Sequence, residues 1–148
     1  MTEVRTWQDD DTIYSLLTTP ATWAVVGLSA NTERTAYGVS EFIRDQLGMT
    51  IVPINPRAES GLGVVGYRNL SEVPGPIDVV DCFVNSQRVG EVVDQAIEQR
   101  ERLGIRAVWL QLGVIDPAAA ARATDAGLDI VMDTCPVIEA RRLALPEI

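Results

Sequence analysis

The chain has 148 residues and a formal net charge of −9, from 21 acidic and 12 basic residues. That length suits one compact domain with a core of its own, and the acidic balance works against nucleic acid or anionic lipid as partners. Every basic residue is arginine, with no lysine and no histidine; this removes the phosphate-loop lysine, Schiff-base chemistry and imidazole acid/base catalysis, and two cysteines without a Cys-x-x-Cys pair leave no zinc or iron-sulfur site.

No run approaches the ~20 apolar residues of a membrane helix, and the acidic start "MTEVRTWQDDD" is unlike a secretory or transit signal. A cytoplasmic location is expected. A short helix over 10–17 precedes the first apolar run, "WAVVGL" at 23–28. Val39, Phe42, Ile43 and Leu47 then share one face of a helix over 37–47, and Gly48 stands where a left-handed terminal residue is wanted. "TIVPIN" (50–55) and "DVVDCFV" (78–84) follow as strands. Ser86 is placed to cap a helix whose inner stripe is Val89, Val92, Val93, Ala96 and Ile97, with its stop at Gly104. "AVWLQL" (107–112) is the fourth strand, Asp116 and Pro117 open a helix ended by Gly127, and "LDIVM" (128–132) is the fifth. "IEARRLAL" is a candidate final helix.

Apolar runs alternating with helical periods give the fold class: α/β, a doubly wound, Rossmann-like parallel sheet of five strands with helices on both faces, in one domain over 1–148 with its core at 23–139. The expected strand order is 3-2-1-4-5, with the ligand crevice beyond the carboxyl ends of strands one and four. In that order Cys82 and Cys135 belong to opposite edges, roughly 19 Å apart, too far for a disulfide. Asp78 and Asp81 project to opposite faces of strand three and make no carboxylate pair. Trp23 and Trp109 read as packing residues.

Two glycine-rich segments compete for a phosphate. Gly61-x-Gly63-x-x-Gly66 has the dinucleotide spacing but follows strand two with no helical period behind it, so it reads as a connection. "GLSANTERTAYG", Gly27 to Gly38, leaves strand one and opens a helix near Thr35 to Tyr37, whose free N–H groups and neighbouring Arg34 favour an anion. At the end of strand two, "PINPRA" puts Arg57 where an NAD-binding domain has an acid, which suits a phosphorylated ribose or free phosphate.

The segments "VVGLSANTERTAYGV", "IVPINP", "VDCFV", "AVWLQLGV" and "MDTCPVIE", in this order, resemble the small CoA-binding proteins of the Rossmann type, related to the CoA-binding domain of succinyl-CoA synthetase α subunits. The resemblance implies a site for coenzyme A in which Gly27, Leu28, Ser29 and Arg34, with the helix start at Tyr37, face the phosphates. Asn55, Pro56 and Arg57, together with Phe83, Val84 and Asn85, would flank the adenine and ribose, while Gln111 to Gly113 line the pantetheine path. Asn55 and Gln111 can each donate and accept hydrogen bonds, and Phe83 can offer a face to the adenine. Relatives often carry arginine at or beside Asn85 and before the late cysteine, where this chain has Thr134; Arg88 is placed to take over the first. Cys135, before Pro136 at a predicted helix start, reads equally as a reactive thiol or as a small buried residue.

The expected partner is CoA or an acyl-CoA, held by a binding or regulatory module without a complete catalytic apparatus. Two alternatives stay open: an NAD(P)-dependent oxidoreductase, and a thiol regulator in which Cys135 forms a disulfide with CoA. Edge strands in so small a domain leave room for a homodimer.

Overall fold

The computed structural model describes residues 7–147. Its elements in chain order are α1 (Asp10–Thr18), β1 (Thr22–Val26), α2 (Thr35–Asp45), β2 (Thr50–Ile54), a 3-10 turn (Leu70–Glu72), β3 (Val79–Cys82), α3 (Val89–Leu103), β4 (Ala107–Leu110), α4 (Pro117–Asp125), β5 (Asp129–Val131) and α5 (Pro136–Arg142). All neighbouring strands pair in parallel, in the order β2-β1-β3-β4-β5.

The α/β class and the five parallel strands are as expected, but the strand order is not. The chain leaves β2 through a long connection without an α-helix, and that connection places β3 on the free side of β1. The direction of winding therefore reverses between β2 and β3. In this order the switch point, where loops on opposite faces diverge and leave a crevice, lies beyond the carboxyl ends of β1 and β3 rather than one and four.

Right-handed crossovers then dictate which face each connection covers. Alternation along the strands divides the interior in two. Trp23, Val25, Val79, Trp109 and Val131 meet α1, α2 and α5 through Ile13, Leu16, Leu17, Ala36, Ile43 and Ala140. Ala24, Val80, Cys82, Val108 and Ile130 meet α3, α4 and the β2–β3 connection through Val89, Val93, Ala96, Ala119, Ala123, Leu70 and Ile77. The two tryptophans lean on each other with ring centroids 5.6 Å apart.

Arg102 of α3 secures the β2–β3 connection, donating to the carbonyls of Val73 at 2.8 Å and Leu70 at 3.0 Å. Asp116 caps α4 by accepting from the Ala119 N–H at 3.0 Å, with Pro117 in the first turn. Ser86, in contrast, caps nothing: α3 starts after Arg88, and the Ser86 hydroxyl accepts from the Ile115 N–H at 2.9 Å. Asn85 organises that helix start instead, its Oδ1 taking the Arg88 N–H at 3.1 Å.

One polar side chain breaks the apolar interior. Asp81, in register between Val25 and Trp109, is fully buried and its oxygens accept no well-formed hydrogen bond. Burial pushes its pKa well above the usual carboxylate range, against the smaller, opposite effect of the Cys82 backbone N–H. Cys82 and Cys135 are free thiols, although β3 and β5 lie only two strand spacings apart, roughly 10 Å, and not at opposite edges. Among the described residues no helix is long and apolar enough to cross a membrane.

Candidate functional site

The carboxyl ends of β1, β2 and β3 open into a cleft of about 680 Å³. Its floor is set by Gly27, where the chain turns with φ +107° and donates to the Ile54 carbonyl at 2.8 Å. A Cβ at Gly27 would stand 2.6 Å from the Phe83 carbonyl oxygen, so β1 and β3 approach this closely only without a side chain.

The bend after Gly27 is shaped by its own polar groups. Ser29 Oγ accepts from the Asn31 N–H at 3.2 Å, and Asn31 Oδ1 accepts from the Glu33 N–H at 3.0 Å. The bend ends at Arg34, which precedes α2 without a side-chain cap. The Tyr37 N–H donates to the Arg34 carbonyl at 3.0 Å, which leaves those of Thr35 and Ala36 for an outside acceptor.

Four arginines line the cleft, Arg34, Arg57, Arg68 and Arg88, against two acids, Glu59 and Glu91. Arg57 is 85% exposed and 4.0 Å from Glu59, while Arg34, Arg68 and Arg88 form no ion pair among the described residues. In a chain of net charge −9 this is a local cationic exception, and unpaired guanidinium groups converging on one hollow are suited to phosphate oxygens.

The cleft continues along Phe83, Val84 and Asn85 into a second hollow of about 620 Å³, bounded by Gln111, Leu112, Val114, Cys135 and Ile138. Arg34 borders both, so one ligand can run from the cationic end into this more apolar channel. Gln111 is 6% exposed and its Oε1 has no hydrogen-bond partner among the described residues.

Of the residues expected at the site, Gly27, Ser29, Arg34, Asn55, Pro56, Arg57, Phe83, Val84 and Asn85 border the cleft, and Gln111 and Cys135 border the channel. Leu28, Tyr37 and Gly113 border neither. Leu28 is fully buried, and Tyr37, in the first turn of α2, is partly buried against the same apolar cluster. Gly113 donates to Asp133 Oδ1 at 2.7 Å and so fixes the loop after β4.

Asn55 differs most from its expected use. Its Nδ2 donates to the Leu28 and Glu59 carbonyls at 2.9 and 2.8 Å, and its Oδ1 accepts from the Arg57 and Glu59 N–H groups at 3.2 and 2.8 Å. With both amide protons and the carbonyl engaged, it clamps the bend after β1 to the turn after β2.

The triple-glycine segment lies outside the cleft and braces it. A Cβ on Gly61 would come 2.8 Å from the Ser29 carbonyl oxygen, and one on Gly66 would come 2.0 Å from that of Glu59. Beyond it, Tyr67 bridges Ile54 at the edge of β2, and this brings Arg68 to the cleft. Sequence reasoning missed Arg68, because its position depends on a pairing between a loop and a strand edge. Glu91, Val92 and Gln95 were also missed; they form the face that α3 turns toward the cleft, legible only once its start beside Asn85 is known.

A family model described as a CoA binding domain matches residues 21–141. The protein YneT of Bacillus subtilis (strain 168) is 34% identical over 112 residues, 76% of this chain and 79% of that protein. The alpha subunit of the ADP-forming acetate–CoA ligase II of Pyrococcus furiosus is 28% identical over 76 residues, which are 51% of this chain and 17% of the subunit. A solved structure of a hypothetical protein from Pyrococcus horikoshii OT3 superposes with a TM-score of 0.81 at 35% identity, covering 91% of this chain and 92% of that one. Matched by that family model over residues 21–141, and by YneT at 34% identity over 76% of its length, this chain belongs to the CoA binding domain family.

Proposed function

We propose that the chain binds coenzyme A, free or acylated, as a binding or regulatory module that carries out no chemistry of its own on the acyl group. The observation that carries this reading is the continuity of the two hollows: a four-arginine cleft running past Phe83 into an apolar channel. CoA has the same two-part character, a phosphorylated ADP joined to a long, mostly uncharged pantetheine arm.

In this reading Ser29, Arg34 and the open start of α2 take the pyrophosphate. Arg57 and Arg68 take the ribose phosphate, Phe83 offers its face to adenine, and Gln111 lies along the path of the arm. No lysine or histidine is available to transfer protons, which favours binding over catalysis.

Calorimetry with CoA, acetyl-CoA, NADP and NAD tests the reading. CoA and acetyl-CoA are expected to bind and NAD to bind far more weakly, since Arg57 and Arg68 have no phosphate to meet on its ribose. Tighter binding of either nicotinamide nucleotide than of CoA would overturn it.

A further inference from the structure

We propose that this chain selects CoA thioesters of uncharged, apolar acyl groups, with the acyl end covered by Leu112 and Ile138. This deepens the reading above and rests on it. Three hollows follow one another along the carboxyl ends of the strands, and their shared walls give their order. The cationic cleft and the channel share Arg34, Phe83, Val84 and Asn85, whereas the channel and a smaller outer hollow of about 250 Å³ share Leu112, Cys135 and Ile138. Leu112 and Ile138 therefore stand at the end of the channel away from the cleft, where an arm that starts among the arginines delivers its sulfur and whatever the sulfur carries.

Both side chains are large, apolar and half exposed, Leu112 at 57% and Ile138 at 51%. Single exposed apolar residues are ordinary on a protein surface. Tyr14, Val65 and Ile115, the other large ones among the described residues, border none of the three hollows. Leu112 and Ile138 come from different elements, the turn after β4 and α5, yet border the same two. Apolar surface gathered at the end of a cavity is stabilised when an apolar part of a ligand covers it.

The backbone holds the pair in place. Leu112 is the first central residue of a tight turn, closed by the Val114 N–H on the Gln111 carbonyl at 2.8 Å, with Gly113 at φ +84° in the second central position. Turn tips commonly carry small or polar residues, and this one presents a leucine. The Gly113 N–H donates to Asp133 Oδ1 at 2.7 Å, which ties the turn to the segment leading into α5 and Ile138.

Charge decides the kind of acyl group. Around the outer hollow stand Asp10, Asp133 and Glu139 against one cation, Arg142. Arg142 is already engaged, 2.6 Å from Asp10 and 2.7 Å from Glu139. Arg34, the one cation on the channel among the described residues, is shared with the cleft at the other end. A carboxylate ending the acyl chain would thus lose water against Leu112 and Ile138 and face an excess of negative charge. A hydrocarbon end meets neither cost.

Calorimetry of the purified chain with CoA, acetyl-CoA, butyryl-CoA and succinyl-CoA is the test. Butyryl and succinyl groups have four carbons each and differ in charge at the far end. Each methylene covered should raise affinity by about 2- to 4-fold, so butyryl-CoA is expected to bind about 4- to 15-fold more tightly than acetyl-CoA. It should bind about tenfold or more tightly than succinyl-CoA. Its binding should also show a more negative heat-capacity change than that of CoA, which marks apolar surface removed from water. With Leu112→Ser and Ile138→Ser combined, the ratio of butyryl-CoA to acetyl-CoA affinity should fall to about twofold or less. Both positions are exposed, and the wild-type series decides the matter even where that variant fails to fold. Equal affinities for acetyl-CoA and butyryl-CoA, succinyl-CoA binding as tightly as butyryl-CoA, or an unchanged ratio in the folded double variant would overturn the proposal while leaving CoA binding intact. Failure of CoA and of every thioester to bind would overturn the underlying reading as well.

Discussion

Asp81→Asn should make this protein more stable at neutral pH, by an amount that grows as pH rises. In the folded chain the carboxyl is sealed between Val25 and Trp109 with no well-formed hydrogen bond, and burial pushes its pKa well above that of an exposed aspartate. Above about pH 4 the unfolded chain has released this proton while the folded chain keeps it, so the folded state binds more protons and loses stability with rising pH. Between the unfolded and folded pKa values the loss approaches about 1.4 kcal/mol per pH unit. Asparagine has nearly the shape of the protonated acid and no proton to lose. Urea unfolding of both proteins at pH 5, 6, 7 and 8 isolates the effect, because the contributions of all other groups are common to the pair. A difference in stability that stays constant across this range, or one in which the asparagine variant loses ground as pH rises, would refute the argument.

Gly27→Ala forces a Cβ to 2.6 Å from the Phe83 carbonyl at a backbone angle of φ +107°; strain and overpacking together should cost about 2–5 kcal/mol in urea unfolding. Arg57→Ala and Arg68→Ala should each weaken CoA binding by about 3- to 10-fold, equivalent to roughly 0.7–1.4 kcal/mol for a partly screened guanidinium–phosphate contact. Calorimetry should also show both variants losing preference for CoA over dephospho-CoA, and an unchanged preference would put the ribose phosphate elsewhere. Arg102→Ala removes the donor shared by the Leu70, Ser71 and Val73 carbonyls. It should lower stability by about 1.5–3 kcal/mol and speed amide exchange in residues 70–77, which cross from β2 to β3.

The strands and helices were legible because their signals are local. The Val- and Ile-rich runs mark buried parallel strands, and Asp116 followed by Pro117 marks a helix start without reference to the rest of the chain. The strand order was not local in this sense. Residues 56–77 carry no helical period, and their apolar contacts, Leu70, Val73 and Ile77 against Val80 and Val93, have meaning only after β3 has been placed beside β1. The site shows the same division. Arg34 and Arg57 lie in the segments that leave β1 and β2 and could be read in advance. Arg68 reaches the cleft through the bridge between Tyr67 and Ile54. Asn55 looked available to a ligand because sequence shows what an amide can bond, and not what the neighbouring turn has already taken.

The braced cleft separates two roles for the triple-glycine segment. If these glycines matter because they let backbones meet, their effects should follow the space around each one. Gly66 has none: a Cβ there meets the Glu59 carbonyl at 2.0 Å, and Glu59 is bonded through both its N–H and its carbonyl to Asn55. Gly66→Ala must therefore displace the turn that carries Arg57 and Glu59, and CoA binding should fall by about tenfold or more although Gly66 does not border the cleft. Gly63 stands in open space with φ +76°, so Gly63→Ala should lose about 1 kcal/mol of stability and leave CoA affinity within about twofold. Glycines that wrapped a phosphate themselves would respond the other way, since backbone approach to the ligand would then be limiting at Gly63 too. Titration of the two variants with CoA distinguishes these roles, and a loss at Gly63→Ala as large as that at Gly66→Ala would move the phosphate site from the bend after β1 to the glycines.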